Sequence, residues 1–219
     1  MEYKTSIILS KTYSIVLLSF LILTGGMIMS ILKPNYILSF VFFIITSIMG
    51  LFVFCVKSKT HKFTCISMFA AGGGYCLGNL CLHYHLTPSD IIFCSLATVL
   101  VFVSVTIAAF TSREMIYFYI LSGTFFGFTY LPLCLFYIFT GGQTVFTIIL
   151  SVVLIMSIIT LMVDTQRIIN EIEKGCDQPF ELAFILFLDL FDLMLQIIRL
   201  VIATKRSSSG SSSIRDEEL

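Results

Sequence analysis

The chain has 219 residues, of which 58% are hydrophobic and only 12% charged, and its 13 basic side chains balance 13 acidic ones. A net charge of zero gives no electrostatic attraction to nucleic acid. A mean hydropathy of +1.01 excludes a soluble domain and reads as an integral membrane protein.

Seven apolar runs follow one another at residues 12–32, 36–56, 63–82, 91–110, 115–139, 145–163 and 181–203. Each is close to the ~20 residues that a helix needs to cross a bilayer. The connections are short, so no separate soluble domain is expected. The expected organisation is a polar lead at 1–11, a membrane domain at 12–203 and a disordered Ser-rich tail at 204–219. The first run is too long for the core of a cleavable signal peptide.

Taken in order, Pro34 separates the first two runs. The third run carries Ala70-Ala71-Gly72-Gly73-Gly74 and then Gly78; the fifth carries Gly123, Gly127 and Pro132. Gly74…Gly78 and Gly123…Gly127 are both GxxxG, a spacing that lets helix backbones approach closely. Tight packing is the plain reading, and a kinked or mobile gate helix is the alternative. Cys81, His83 and His85 follow the third run as Cys-x-His-x-His. They read as an interfacial loop, with a metal site as the alternative. The seven cysteines contain no CxxC and read as small buried hydrophobes.

The sixth run ends at Asp164, and the seventh contains Asp189 and Asp192. Between them stand Gly175 as a helix C-cap, Asp177 as an N-cap and Pro179 in a first helical turn. Folded as a hairpin about that apex, Asp164 and Asp189 stand level on neighbouring helices, roughly 18 Å below it at 1.5 Å per residue. Two carboxylates at one level in a low-dielectric bundle cannot both ionise cheaply, so the pair is expected to share a proton. On the last helix Asp189, Asp192, Gln196 and Arg199 are spaced three, four and three apart. They form one polar stripe on an apolar helix, which suits a polar cavity or pore. A hydrogen-bonded stripe that fixes helix register is the structural alternative.

Lys4, Lys11, Lys57, Lys59, Lys62, Arg113, Arg167 and Lys174 fall on one side of the seven-run layout and only Lys33 in the opposite loops, which places the N-terminus in the cytosol. Lys205, Arg206 and Arg215 then conflict with a seventh full span and would suit a re-entrant last segment; a full span is the expected outcome.

The segment Asp164-Thr165-Gln166-Arg167-Ile168-Ile169, then Glu173-Lys174-Gly175-Cys176-Asp177, then Leu186-Phe187-Leu188-Asp189 resembles the Bax-inhibitor family. Lys11-Thr12-Tyr13 resembles the start of that family's first helix, and Phe110-Thr111-Ser112-Arg113 its fourth-to-fifth junction. The resemblance implies an all-α membrane fold of seven transmembrane helices, two three-helix layers around a central C-terminal helix. It implies a pH-sensitive Ca²⁺ leak and, in a eukaryote, suppression of cell death at the endoplasmic reticulum or Golgi. The family's paired aspartates fall on Asp164 and Asp189, the expected pH-sensing pair. The acid that some members carry in the third helix is absent, with Leu80 and Cys81 in its place, and Asp192 is an addition.

The expected ion path runs by Asp192, Gln196 and Arg199, with Asp189 and Asp192 offering oxygens to Ca²⁺ in transit. Expected partners are membrane lipid, Ca²⁺, protons and membrane-bound cell-death regulators, with no cofactor and no nucleic acid. The competing reading is an interaction protein that restrains cell death without conducting. An intramembrane aspartyl protease is disfavoured because no Gly-x-Gly precedes Asp189, so no catalysis is expected. A seven-helix receptor lacks its Asp-Arg-Tyr and Asn-Pro-x-x-Tyr signals.

Overall fold

The computed structural model describes residues 3–111, 134, 137 and 142–215. Among these, six helices have defined bounds: α1 (Tyr3–Leu32), α2 (Tyr36–Cys55), α3 (Lys59–His83), α4 (Pro88–Thr111), α5 (Gln143–Glu173) and α6 (Pro179–Arg215). No strand occurs among the described residues. The chain divides into two compact units. Met1–Thr87 with Asp164–Leu188 makes the first, and Pro88–Val163 with Asp189–Leu219 the second.

The helices reproduce six of the seven apolar runs; the run at 115–139, with Gly123, Gly127 and Pro132, lies outside the described residues. Among the described residues five helices are long and apolar enough to cross a membrane: α1 from Ser6, α2, α3, α4 to Phe110, and α5. Helix α6 is long enough but carries Glu181, Asp189, Asp192 and Arg199 along its length. The first run sits inside a longer helix that begins at Tyr3, and the seventh inside one that continues to Arg215.

Local chemistry sets the boundaries. Asn35 caps α2, its Oδ1 accepting from the backbone N–H of Ile37 at 3.0 Å and Leu38 at 3.1 Å, so two of the donors orphaned at a helix start are satisfied. At the end of α3 the His85 N–H reaches the Leu82 carbonyl and the Leu86 N–H that of Cys81, both at 3.0 Å. His85 has φ +54°. This is a Schellman cap with histidine at the left-handed position usually given to glycine. It accounts for the Cys-x-His-x-His cluster without a metal. Cys81 and Leu86 are the buried apolar partners of the cap, His85 is its turn residue, and the His83 ring stands edge-on to Tyr36 at 6.4 Å. Among the described residues no three His, Cys, Asp or Glu side chains gather as a metal set.

In the first unit α3 packs against α1 and α2, and the glycines explain how. A methyl on Gly74 would overlap the Leu23 carbonyl oxygen, one on Gly26 the Ala71 carbonyl, and one on Gly78 would come within 2.8 Å of the Met27 carbonyl. The α1 and α3 backbones therefore touch, and only residues without a Cβ fit between them. Gly72 makes the same room for the Thr46 side chain of α2. Tight packing is thus what Gly74…Gly78 provides. As a result 56% of the apolar stretch of α3 is buried, against 11% for α2. Phe69 of α3 stacks edge-on against Phe184 at 5.3 Å and Phe187 at 6.1 Å, and Phe54 of α2 against Phe184 at 5.7 Å. These rings draw the start of α6 into the same core.

The outward faces are apolar. Leu17, Leu21, Ile28 and Leu32 of α1, and in the second unit Ile92, Leu96, Leu100, Val103 and Ile107 of α4, are exposed at helical spacing. In water such faces would drive aggregation; against acyl chains they are at equilibrium.

Candidate functional site

The connection between α5 and α6 folds as its residues direct. Helix α5 ends at Glu173, the Gly175 N–H bonds the Ile172 carbonyl at 3.0 Å and the Cys176 N–H that of Glu171 at 3.1 Å. Gly175 has φ +95°, so the expected glycine cap is a Schellman motif. Pro179 is the first residue of α6, where its missing N–H costs nothing. The N-cap position falls on Gln178, whose carbonyl accepts from Leu182 at 3.3 Å, one residue beyond Asp177.

Asp164 and Asp189 take corresponding positions on the two helices. Asp164 lies 9 residues before Glu173, and Asp189 lies 10 residues after Pro179. At 1.5 Å per residue that is about 14 and about 15 Å along their helices. Both are half-buried. Asp164 shares a helix face with Leu161 and Ile168, and Asp189 stands between Phe187 and Leu190, all four of these neighbours buried. Asp164 belongs to the first unit and Asp189 to the second.

The rest of the polar stripe divides in two. Asp192 is exposed, Gln196 is buried and Arg199 is exposed. Asp192 accepts from the Ser157 hydroxyl of α5 at 2.7 Å and, more loosely, from the Gln196 amide Nε2 at 3.3 Å. The other amide atom, Gln196 Oε1, is buried with no hydrogen-bond partner. Ser157 is the partner of the stripe that sequence reasoning missed. Mirror symmetry about the 175–177 turn puts Leu161 opposite Asp192, and Ser157 is one helical turn further away. One of four hydroxyl residues in the run at 145–163, with Thr147, Ser151 and Thr160, it gives no signal until the packing offset between the helices is known.

Ion pairs anchor α6 at each end. In the first unit Glu181, in its first turn, pairs with Lys62 at the start of α3. In the second unit Lys205 pairs with Asp90 at the start of α4, and the Gln143 amide donates to the Ala203 carbonyl at 3.4 Å. Asp192 lies 13 residues after Pro179 and 13 before Lys205. It is about 20 Å from either along the helix.

Long helices with outward apolar faces, and carboxylates set into otherwise apolar helices, define a multi-pass α-helical membrane protein. The sequence matches the family described as "Inhibitor of apoptosis-promoting Bax1" over residues 5–207. The chain belongs to the Bax inhibitor family, and membership supports a cell-death-suppressing membrane protein. No curated protein sequence matches it.

Proposed function

We propose that this protein is a pH-sensitive Ca²⁺ leak of an intracellular membrane, endoplasmic reticulum or Golgi in a eukaryotic cell, through which it restrains cell death. The observation that carries the reading is the placement of Asp164 and Asp189, half-buried on helices joined by a five-residue turn. They are at nearly equal distance from that turn. Ionised carboxylates inside a membrane are expensive and are retained where they conduct or sense. On this reading the pair shares a proton, so their charge follows pH across the pair's joint titration. Loss of charge on protonation then alters how the ends of α5 and α6 close on each other.

A seven-span layout with two three-helix layers around α6 is part of the proposal. The anchors of α6 support its full crossing. Helices α3 and α4 are joined by only residues 84–87, so a chain that crosses on α3 starts α4 on the opposite face. Glu181 pairs at the start of α3 and Lys205 at the start of α4, which favours α6 beginning on one face and ending on the other. With Lys57, Lys59 and Lys62 cytosolic by the positive-inside rule, the N-terminus is cytosolic and Lys205 is not. The pair with Asp90 offsets the charge that would otherwise hold Lys205 in the cytosol.

The reading involves no catalytic step. Leu186-Phe187-Leu188 precedes Asp189 and leaves the helix backbone closed to a peptide substrate. The test is Ca²⁺ entry into liposomes holding the purified protein, followed across a pH series. A flux that titrates supports the proposal, and protein-containing liposomes no leakier than empty ones at every pH reject it.

A further inference from the structure

We propose that the groove between α1 and the start of α6, within the first unit, is a binding site for an anionic phospholipid, with Lys11 holding its phosphate. The site uses neither Asp164 nor Asp189, and its occupancy does not depend on Ca²⁺ passage. An open cavity of about 290 Å³ is lined by Ser10, Lys11, Ser14 and Ile15 of α1 and by Pro179 and Phe180 of α6. The four α1 residues fall one and four apart in sequence, so they share one helix face. The volume is at the lower end of the ~300–1,000 Å³ of small-molecule sites. It admits a phosphate with its glycerol and leaves acyl chains outside.

The cavity lies at the level of a lipid headgroup. Lys11 ends the polar lead, and the apolar run begins at Thr12. Pro179 stands two residues before the apolar run that begins at Glu181. Both walls therefore pass from polar to apolar at the cavity, as they must where headgroups meet acyl chains. Beyond Ile15 the same α1 face continues through Leu18, Leu21 and Gly25. These three are exposed, and nothing stands within 4 Å of a methyl built on Gly25, so an acyl chain can lie along them. Charge selects the headgroup. Lys11 is exposed and makes no ion pair among the described residues. Its ammonium is a compact point charge with three donors, suited to phosphate. The Ser14 hydroxyl donates to the Ser10 carbonyl at 2.8 Å, while that of Ser10, exposed beside Lys11, can donate to the same phosphate. The first turn of α6 adds orphaned N–H groups and the positive end of a helix dipole. No acid lines the cavity to receive the ammonium of a zwitterionic lipid, and Glu181, next to Phe180, is paired with Lys62.

Calorimetric titration of dioctanoyl phosphatidylglycerol into the purified full-length protein in neutral detergent tests the site, with dioctanoyl phosphatidylcholine and inorganic phosphate as comparisons. Phosphatidylglycerol is expected to bind several-fold more tightly than either. Lys11→Gln is expected to weaken its binding several-fold and Lys11→Arg to retain it. Ser14→Phe keeps the lysine but fills the cavity, and is expected to lose binding. Lys33→Gln, at the other end of α1, is expected to bind as the wild type does. Lys11, Ser14 and Lys33 are all exposed, so these exchanges leave the core intact. Binding unchanged in Lys11→Gln, or weakened as much by Lys33→Gln, overturns the site. Phosphatidylcholine bound as tightly as phosphatidylglycerol overturns the selection by charge and the proposal with it. Inorganic phosphate bound as tightly as the lipid overturns it in favour of a free anion. Ca²⁺ flux in liposomes, present or absent, alters none of these outcomes.

Discussion

At the scale of single residues, backbone constraints explain more of this chain than charge does. His85 occupies a left-handed conformation at φ +54° that costs a side-chain-bearing residue roughly 1–2 kcal/mol. His85→Gly is therefore expected to raise thermal stability in detergent by about 1 kcal/mol. Loss of stability instead would mean that the ring does something beyond capping. Gly74 gives the opposite sign. A methyl there meets the Leu23 carbonyl, whereas one at Gly25 meets nothing within 4 Å. Gly74→Ala should cost about 1–3 kcal/mol by overpacking. Gly25→Ala should be neutral or slightly stabilising, because helix propensity then acts alone. Equal melting temperatures for the two variants would contradict the close α1–α3 approach.

At the scale of elements, helices among the described residues were legible wherever hydropathy ran uninterrupted. Pro34, Gly175 and Pro179 marked ends that the structure keeps. The runs at 12–32 and 181–203 understate α1 and α6 because polar residues such as Lys4, Lys11, Lys205 and Arg206 continue a helix once a neighbouring turn has started it. Hydropathy counts those residues as interruptions, but helix formation does not. The small-residue motif of α3 named the packing device, though not that α1 would be the partner or that Gly26 would answer from the other side. The polar stripe of α6 was visible as spacing, but its partner Ser157 was not, since a hydrogen bond between helices depends on their axial offset.

The anchors of α6 were equally hidden, as Lys62 and Glu181 are 119 residues apart in sequence. With side-chain exposures of 12% and 25%, this pair should exceed the ~0–1 kcal/mol typical of exposed pairs. Lys62→Glu is expected to destabilise the first unit, and the double exchange Lys62→Glu with Glu181→Lys to recover most of the loss. A double variant no better than the sum of the single changes would show that the pair does not hold α6.

At the scale of the whole molecule, a chain with outward apolar faces and acids within its apolar helices is built for a bilayer, and its family sets it among inhibitors of cell death. The topology has a direct check. Tags at the N-terminus and after residue 206 should be cut by protease from opposite sides of sealed microsomes. Cutting from one side alone would replace the crossing of α6 with a re-entrant segment. On the proposed function Asp164 and Asp189 titrate together and control Ca²⁺ passage, which the pH profile of Ca²⁺ flux in liposomes reads out. The wild-type protein should show a flux that changes with pH. Asp189→Asn, which mimics a carboxyl that no longer loses its proton, should flatten that profile, and Asp164→Asn should act in the same direction. A wild-type pH profile retained in both variants would contradict the claim and leave the two aspartates a structural role.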